Sequence, residues 1–302
     1  MSLVQVWTYC ALAGFLLGCA LKAIRFATMP THLRWELYPV AHEKGRASYG
    51  GSYFEELDWW TKPRQVSRLG EVKTIAEEVL TLEQVREHNR TLWLPSLAFH
   101  YGLYLLFALG GALLLGAIPG VQRLPGLWRL GGGRALAVWG GVGLAAATLG
   151  CAALLVRRLR HEELRRASTP ADFFHLGLLL AVFAASWASL LGPDPRLSVA
   201  AGFVSALVAL RPAVALPMSS AAEIVLLGAF LAYLPWSHML HFFAKYFTWH
   251  SVRWDDAPVG GNASMQRRLE RMLMRPIHWS APHIGADGRK SWADVAAERG
   301  KS

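Results

Sequence analysis

Three histidines and one carboxylate stand where charge is expensive. The run Ser219–Trp249 reads SSAAEIVLLGAFLAYLPWSHMLHFFAKYFTW, long and apolar enough to cross a bilayer, yet it carries Glu223 near its start and His238 and His241 in its second half. Ionisable groups at membrane depth mark a pathway, a ligand or a cofactor. His100 occupies a comparable place in a second run, WLPSLAFHYGLYLLFALGGALLLG. Two neutral imidazoles on facing helices, at matched depth in apolar surroundings, are the axial-ligand set of a b-type haem.

The depths match on a helical rise. His100 follows Arg90 by ten residues, roughly 15 Å, and His241 precedes Arg253 by twelve, roughly 18 Å. Gly102 beside His100, and Gly110-Gly111 further along, would leave room for a macrocycle. The plain alternative is a pair of buried histidines bonded to backbone carbonyls. His238, one turn from His241, could replace it as ligand, or bond a haem propionate or another side chain. His175, three residues after Asp172, reads as an interfacial cap or a propionate contact. His32, His42, His88, His161, His250, His278 and His283 fall outside the apolar runs and receive no ligand role. Glu223 is either an ordinary acid near a helix N-terminus facing water or a group facing the other helices.

The elements that must position these residues are membrane helices. Hydrophobic residues make up 53% of the 302-residue chain and charged ones 17%, and the charges are concentrated in a few segments. Five runs are long enough to span: Leu3–Leu21, Leu92–Ile118, Ala135–Val156, Phe173–Leu191 and Ala221–Phe247. A sixth, Leu197–Leu210, is too short and is bracketed by prolines; it reads as an interfacial or re-entrant piece. The first run lacks the basic n-region of a signal peptide and reads as an uncleaved anchor. Arg157, Arg158, Arg160, Arg165 and Arg166 crowd the loop after the third span, whereas Arg123, Arg129 and Arg134 alone precede it and Arg196 and Arg211 precede the fifth. The bias places the N-terminus outside and the C-terminus in the cytoplasm. The expected fold is therefore an all-α membrane protein, a five-helix bundle. Its net charge of +10 is a topology signal and requires no nucleic acid.

Four regions follow: 1–21, the first span; 22–91, a cytoplasmic segment; 92–249, the four-helix region expected to hold haem; and 250–302, a basic cytoplasmic tail. Within Lys22–Thr91, Trp35, Tyr38, Tyr49, Tyr53, Phe54, Trp59 and Trp60 lie among basic residues, which suits a membrane-surface segment, a docking surface, or both. From Arg68, apolar residues Leu69, Val72, Ile75, Val79, Leu82 and Val85 recur at helical spacing, one stripe on a charged helix. A short helix is expected around Met265–Met274. The cysteines Cys10, Cys19 and Cys151 are scattered through the spans. No C-x-x-C-H occurs, which excludes covalent c-type haem, and no four-cysteine cluster is present to hold iron and sulfur.

With FHYGLYLLF in span two, VRRLR after span three and LPWSHMLHF in span five, the chain resembles the membrane cytochrome b (gamma) subunit of respiratory nitrate reductase. It also resembles the related subunits paired with heterodisulfide-reductase-like iron–sulfur proteins in sulfate and sulfite respiration. The resemblance is best over roughly 92–250. It implies a five-helix bundle that moves electrons between a menaquinone-type quinone and a cytoplasmic iron–sulfur subunit through haem b, with His100 and His241 as axial ligands to the iron. The outer histidines of that pattern fall on Gly110 and Glu223, which implies one haem, or a second in a rearranged site. The space near Gly110 and Glu223 is then the expected quinone site, with Glu223 accepting a proton and Arg134 orienting or neutralising it. The long Lys22–Thr91 segment is similar to the sulfate-respiration branch. A proton-coupled transporter and a non-redox membrane anchor are the rival readings, and no inverted repeat supports the first.

Overall fold

The computed structural model describes residues 1–28, 67–122, 132–241, 263–280 and 287–299, with a few single positions between. The aromatic-rich stretch before Ser67, Arg123 and Arg129, and the chain from Phe242 to Asn262 lie outside the described residues. The described residues are mostly helical, with turns, an irregular link at Arg211–Pro217 and one isolated bridge between Pro276 and Ser291. Two compact units are resolved, Met1–Cys19 with Glu77–Met239, and Ala20–Ala76 with Leu240–Ser302.

In chain order the helices are α1 (Leu3–Thr28), α2 (Arg68–Thr81), α3 (Glu83–His88), α4 (Arg90–Ala117), α5 (Pro119–Gln122), α6 (Gly132–Arg160), α7 (Glu162–Ala167), α8 (Pro170–Leu191), α9 (Ser198–Val208) and α10 (Met218–Tyr233). Five of the apolar helices, including the stretch Met218–Trp236, are long and apolar enough to cross a membrane. Their outward residues are themselves apolar, as lipid contact requires: Phe107, Leu114, Val138, Leu149, Phe174 and Leu191 are all exposed. No water-facing helix would present such a surface. The protein is a multi-pass, all-helical membrane protein.

Packing runs from helix to helix. α4 packs on α6 and on α9, α6 also meets α8, and α8 packs on α10. Small residues make the α4–α6 seam. A Cβ on Gly102 would run into the backbone of Ala147, and one on Gly150 into the backbone of Phe99. Without a hydrophobic force between helices in lipid, such close backbone approach is what dispersion requires. Gly102 is thus spent on α6. It leaves no room there for a macrocycle, contrary to the expectation from sequence. Gly110 and Gly111 do open on unfilled space, with nothing within 4 Å of either virtual Cβ.

The expected stripe from Arg68 to Val85 is cut in two. Leu82 adopts a left-handed conformation (φ 50°), ending α2 and starting α3. The break is supported from α4: Trp93 Nε1 donates to the Thr81 carbonyl (2.7 Å) and Tyr104 to that of Val79 (2.9 Å). These are carbonyls that a helix C-terminus leaves without intrahelical donors. The buried Glu78 accepts the Gln84 N–H (3.3 Å) and so serves the start of α3.

The short sixth run forms α9, packed on α4. Buried Asp194 caps it, accepting the N–H groups of Val199 and Ala200 at 2.9 Å each. α1 is tied to the segment that follows. Gln5, fully buried, donates to the Arg211 carbonyl (2.8 Å) and accepts from Ala213 N–H (3.1 Å), and Tyr9 donates to the Leu207 carbonyl.

The fifth span departs most from expectation. The continuous run Ala221–Phe247 gives an α-helix that stops at Tyr233, followed by 3₁₀ turns at Leu234–Trp236 and His238–Leu240. Pro235 lacks the N–H that a continuing helix needs and crowds the turn before it. Hydropathy continues through the break because the turn residues are themselves apolar.

Candidate functional site

His100 sits three turns into α4 and is half-buried. Its Nδ1 is 2.7 Å from the Ser96 carbonyl, one turn earlier. A carbonyl only accepts, so Nδ1 carries the proton and the lone pair is on Nε2. That is the orientation in which a hydrogen bond from the other ring nitrogen holds metal-ligating histidines. Phe99 packs edge-on to the imidazole (5.4 Å between centroids) and Tyr104 lies tilted beside it (6.3 Å). The residues at His100 fit an axial haem ligand in tautomer and surroundings. His241 is exposed and belongs to the second unit.

His238 and His175, separated by 63 positions in the chain, meet. The exposed His238 ring stands edge-on to His175 at 4.5 Å between centroids, and its Nε2 is 3.2 Å from Asp172 Oδ1. Asp172 Oδ2 accepts the N–H of Thr169 (2.8 Å), a capping-box bond at the first turn of α8. His175 is buried, and its Nε2 lies 2.7 Å from the Tyr233 hydroxyl. Its Nδ1 is buried without a hydrogen-bond partner. One ligand atom from each of Asp172, His175 and His238 lies within 4.8 Å of the others. The break after Tyr233 creates this meeting, since it turns His238 back onto the start of α8. In the sequence, Asp172 and His175 show only as a D-x-x-H spacing. Nothing in the sequence pointed to Tyr233.

The cluster lies at the basic end of the bundle. Arg157 Nη1 donates to Thr91 Oγ1 (3.0 Å), joining the end of α6 to the start of α4, and Arg158 donates to Ser168 Oγ (2.7 Å). Positive charge and short tethers converge there.

Towards the other end, Glu223 faces α8 rather than open water. It is half-buried and hydrogen-bonded to the side chains of Ser186 and Ser189, and Ser189 also pairs with Ser220 across α8 and α10 (2.8 Å). Arg134, near the start of α6, is exposed. Gly110 borders open space on α4, while α10 has α8 as its main neighbour.

The sequence profile of the nitrate reductase gamma subunit family matches residues 83–254, more than half of the chain. The chain belongs to that family, the membrane cytochrome b subunits of respiratory redox complexes. No curated protein and no solved structure matches the chain. The matched region takes in His100, the Asp172–His175–His238 cluster, Glu223 and His241.

Proposed function

We propose that this chain is the cytochrome b membrane subunit of a respiratory complex and passes electrons between a menaquinone-type quinone and a cytoplasmic iron–sulfur partner. The observation that carries the reading is His100, half-buried within the family-matched region with its Nδ1 on the Ser96 carbonyl. His100 and His241 would hold the iron of one haem b, which supplies one-electron transfer when bound. His100 contributes a fixed tautomer. The apolar helices exclude water and satisfy their own backbone in lipid.

On this reading the quinone head lies near Gly110 and Glu223. Gly110 leaves the space, Glu223 accepts a proton on quinol oxidation with Ser186 and Ser189 orienting its carboxyl, and Arg134 steadies the resulting charge. The Lys22–Thr91 segment and the tail from His250 form the platform for the partner. A heterodisulfide-reductase-like iron–sulfur protein suits a chain that has haem ligands and no cluster ligands. The arginine-rich loop supports a cytoplasmic side for that platform, and the complex would sit in the inner membrane of a bacterial or archaeal cell.

The test is a reduced-minus-oxidised spectrum of the purified chain in detergent. A b-type spectrum that menaquinol can generate is the expected result. A protein that reconstitutes no haem, yet moves protons or solutes in vesicles, would be a transporter and would refute the reading.

A further inference from the structure

We propose that Asp172, His175 and His238 form a binding site for one divalent transition-metal ion of the zinc class, separate from any haem. The inference does not rest on the electron-transfer reading. Two imidazoles and a carboxylate make a mixed nitrogen–oxygen donor set of intermediate softness, suited to zinc and its neighbours and poorly suited to calcium or magnesium, which demand more oxygen ligands. Three protein ligands leave a fourth position for water, a pattern zinc adopts in open sites.

Three observations carry the site. His238 Nε2 and Asp172 Oδ1 are 3.2 Å apart, close to the ~3.3 Å edge of a tetrahedron whose ligands sit about 2.0–2.1 Å from zinc. His175 is only 4% exposed, and its Nδ1 has no partner although a buried polar atom without one is costly. A metal in the cluster would take that lone pair. The other nitrogen of His175 is already held as a metal ligand's usually is, with Nε2 at 2.7 Å from the Tyr233 hydroxyl. Tyr233 is then the positioning residue and Asp172 a ligand anchored through its second oxygen by Thr169. The third donor needs little movement. One nitrogen of each imidazole and an Asp172 oxygen already lie within 4.8 Å of one another, and the His238 ring, 61% exposed, is able to turn. An ion here would pin the 3₁₀ turn His238–Leu240 to the first turn of α8, a clamp across the break in span five.

The experiment uses the full chain in detergent, stripped with a chelator and titrated with cobalt(II), a coloured stand-in for zinc. One cobalt per chain, with the intense visible bands of a four-coordinate ion displaced by zinc, is the expected result. His238→Ala and Asp172→Asn should each abolish stoichiometric binding. Tyr233→Phe should weaken it by about 10–100-fold, the usual cost of losing an outer-shell partner. His238 is exposed, so its alanine variant should unfold at the wild-type temperature without metal and lose only the upward shift that zinc gives the wild type. Binding that survives in both ligand variants would place the metal on surface histidines such as His88 or His161 and overturn the proposal. A wild type that takes no cobalt, with His238→Ala altering only a haem spectrum, would make the pair a propionate contact and equally overturn it. His100→Ala is the control: haem should go and cobalt binding should stay.

Discussion

Replacing Gly102 by alanine is the sharpest test of how α4 is held. The added methyl would stand 2.6 Å from Ala147 Cα and 2.7 Å from Ala147 Cβ, and closer still to its backbone nitrogen. Carbon atoms in contact sit at about 3.5–4.0 Å, so the helices must part by roughly 1 Å. No rotamer relieves this, because the atoms met are backbone. Parting by that much forfeits a quarter to a half of each dispersion contact along the seam, where Gly143 against Leu105 and Gly150 against Phe99 depend on the same approach. Overpacking of this kind costs about 1–3 kcal/mol. Gly110→Ala, eight residues along the same helix, meets nothing within 4 Å and should gain about 0.5–1 kcal/mol from the lower backbone entropy of alanine. That gain is common to both substitutions, so the two variants should differ by the overpacking cost alone, roughly 1–3 kcal/mol in unfolding free energy, measured by denaturation in mixed micelles. Equal stability of the two would refute the close α4–α6 seam. If Gly102→Ala also loses haem, the register of His100 depends on that seam.

The remaining expectations concern the candidate sites and the tail. His100→Ala and His241→Ala should each remove the b-type absorbance while the chain still inserts; loss in His238→Ala with retention in His241→Ala would move the ligand by three residues. Glu223→Gln should slow haem reduction by a menaquinol analogue without changing the oxidised spectrum, and unaltered kinetics would reduce Glu223 to a partner of Ser186 and Ser189. Gln5→Leu strands the Arg211 carbonyl and the Ala213 N–H; at about 1–3 kcal/mol for a buried group left unpaired, thermal unfolding in detergent should register the loss, and no loss would show that water replaces Gln5. In the tail, Asp294 accepts the N–H (2.8 Å) and hydroxyl (2.7 Å) of Ser291, and these bonds hold its carboxyl below the usual aspartate value. Asp287 is lowered likewise by the N–H groups of Lys290 and Arg289. A depressed folded-state pKa contributes stability above the unfolded value, and that stability is lost as pH falls through the folded one. Amide exchange across 287–299 in the intact protein should therefore quicken below the ordinary aspartate range; constant protection there would contradict the assignment.

The sequence by itself determined the five spans, because hydropathy is a local sum and each helix in lipid must close its own hydrogen bonds. The same locality made the place of His100 within the second span legible, and the Ser96 carbonyl that holds its Nδ1 is one turn away on the same helix. Interior detail was not local. Gly102 reads as space in one dimension and as a contact in three, because only the position of Ala147 decides which side of α4 is occupied. The α2 stripe looked continuous through Leu82; its break is served by Trp93 and Tyr104 on another helix. Span five looked continuous through Phe247, since Leu234, Pro235 and Trp236 are as apolar in a 3₁₀ turn as in a helix. That turn brings His238 to Asp172 and His175, and Tyr233 to the buried imidazole. Glu223 could face water or helix on its periodicity alone; the serines of α8, a different element, decided it. What the tertiary structure added in each case is the direction a side chain faces, which depends on a partner distant in sequence and so leaves no trace in spacing.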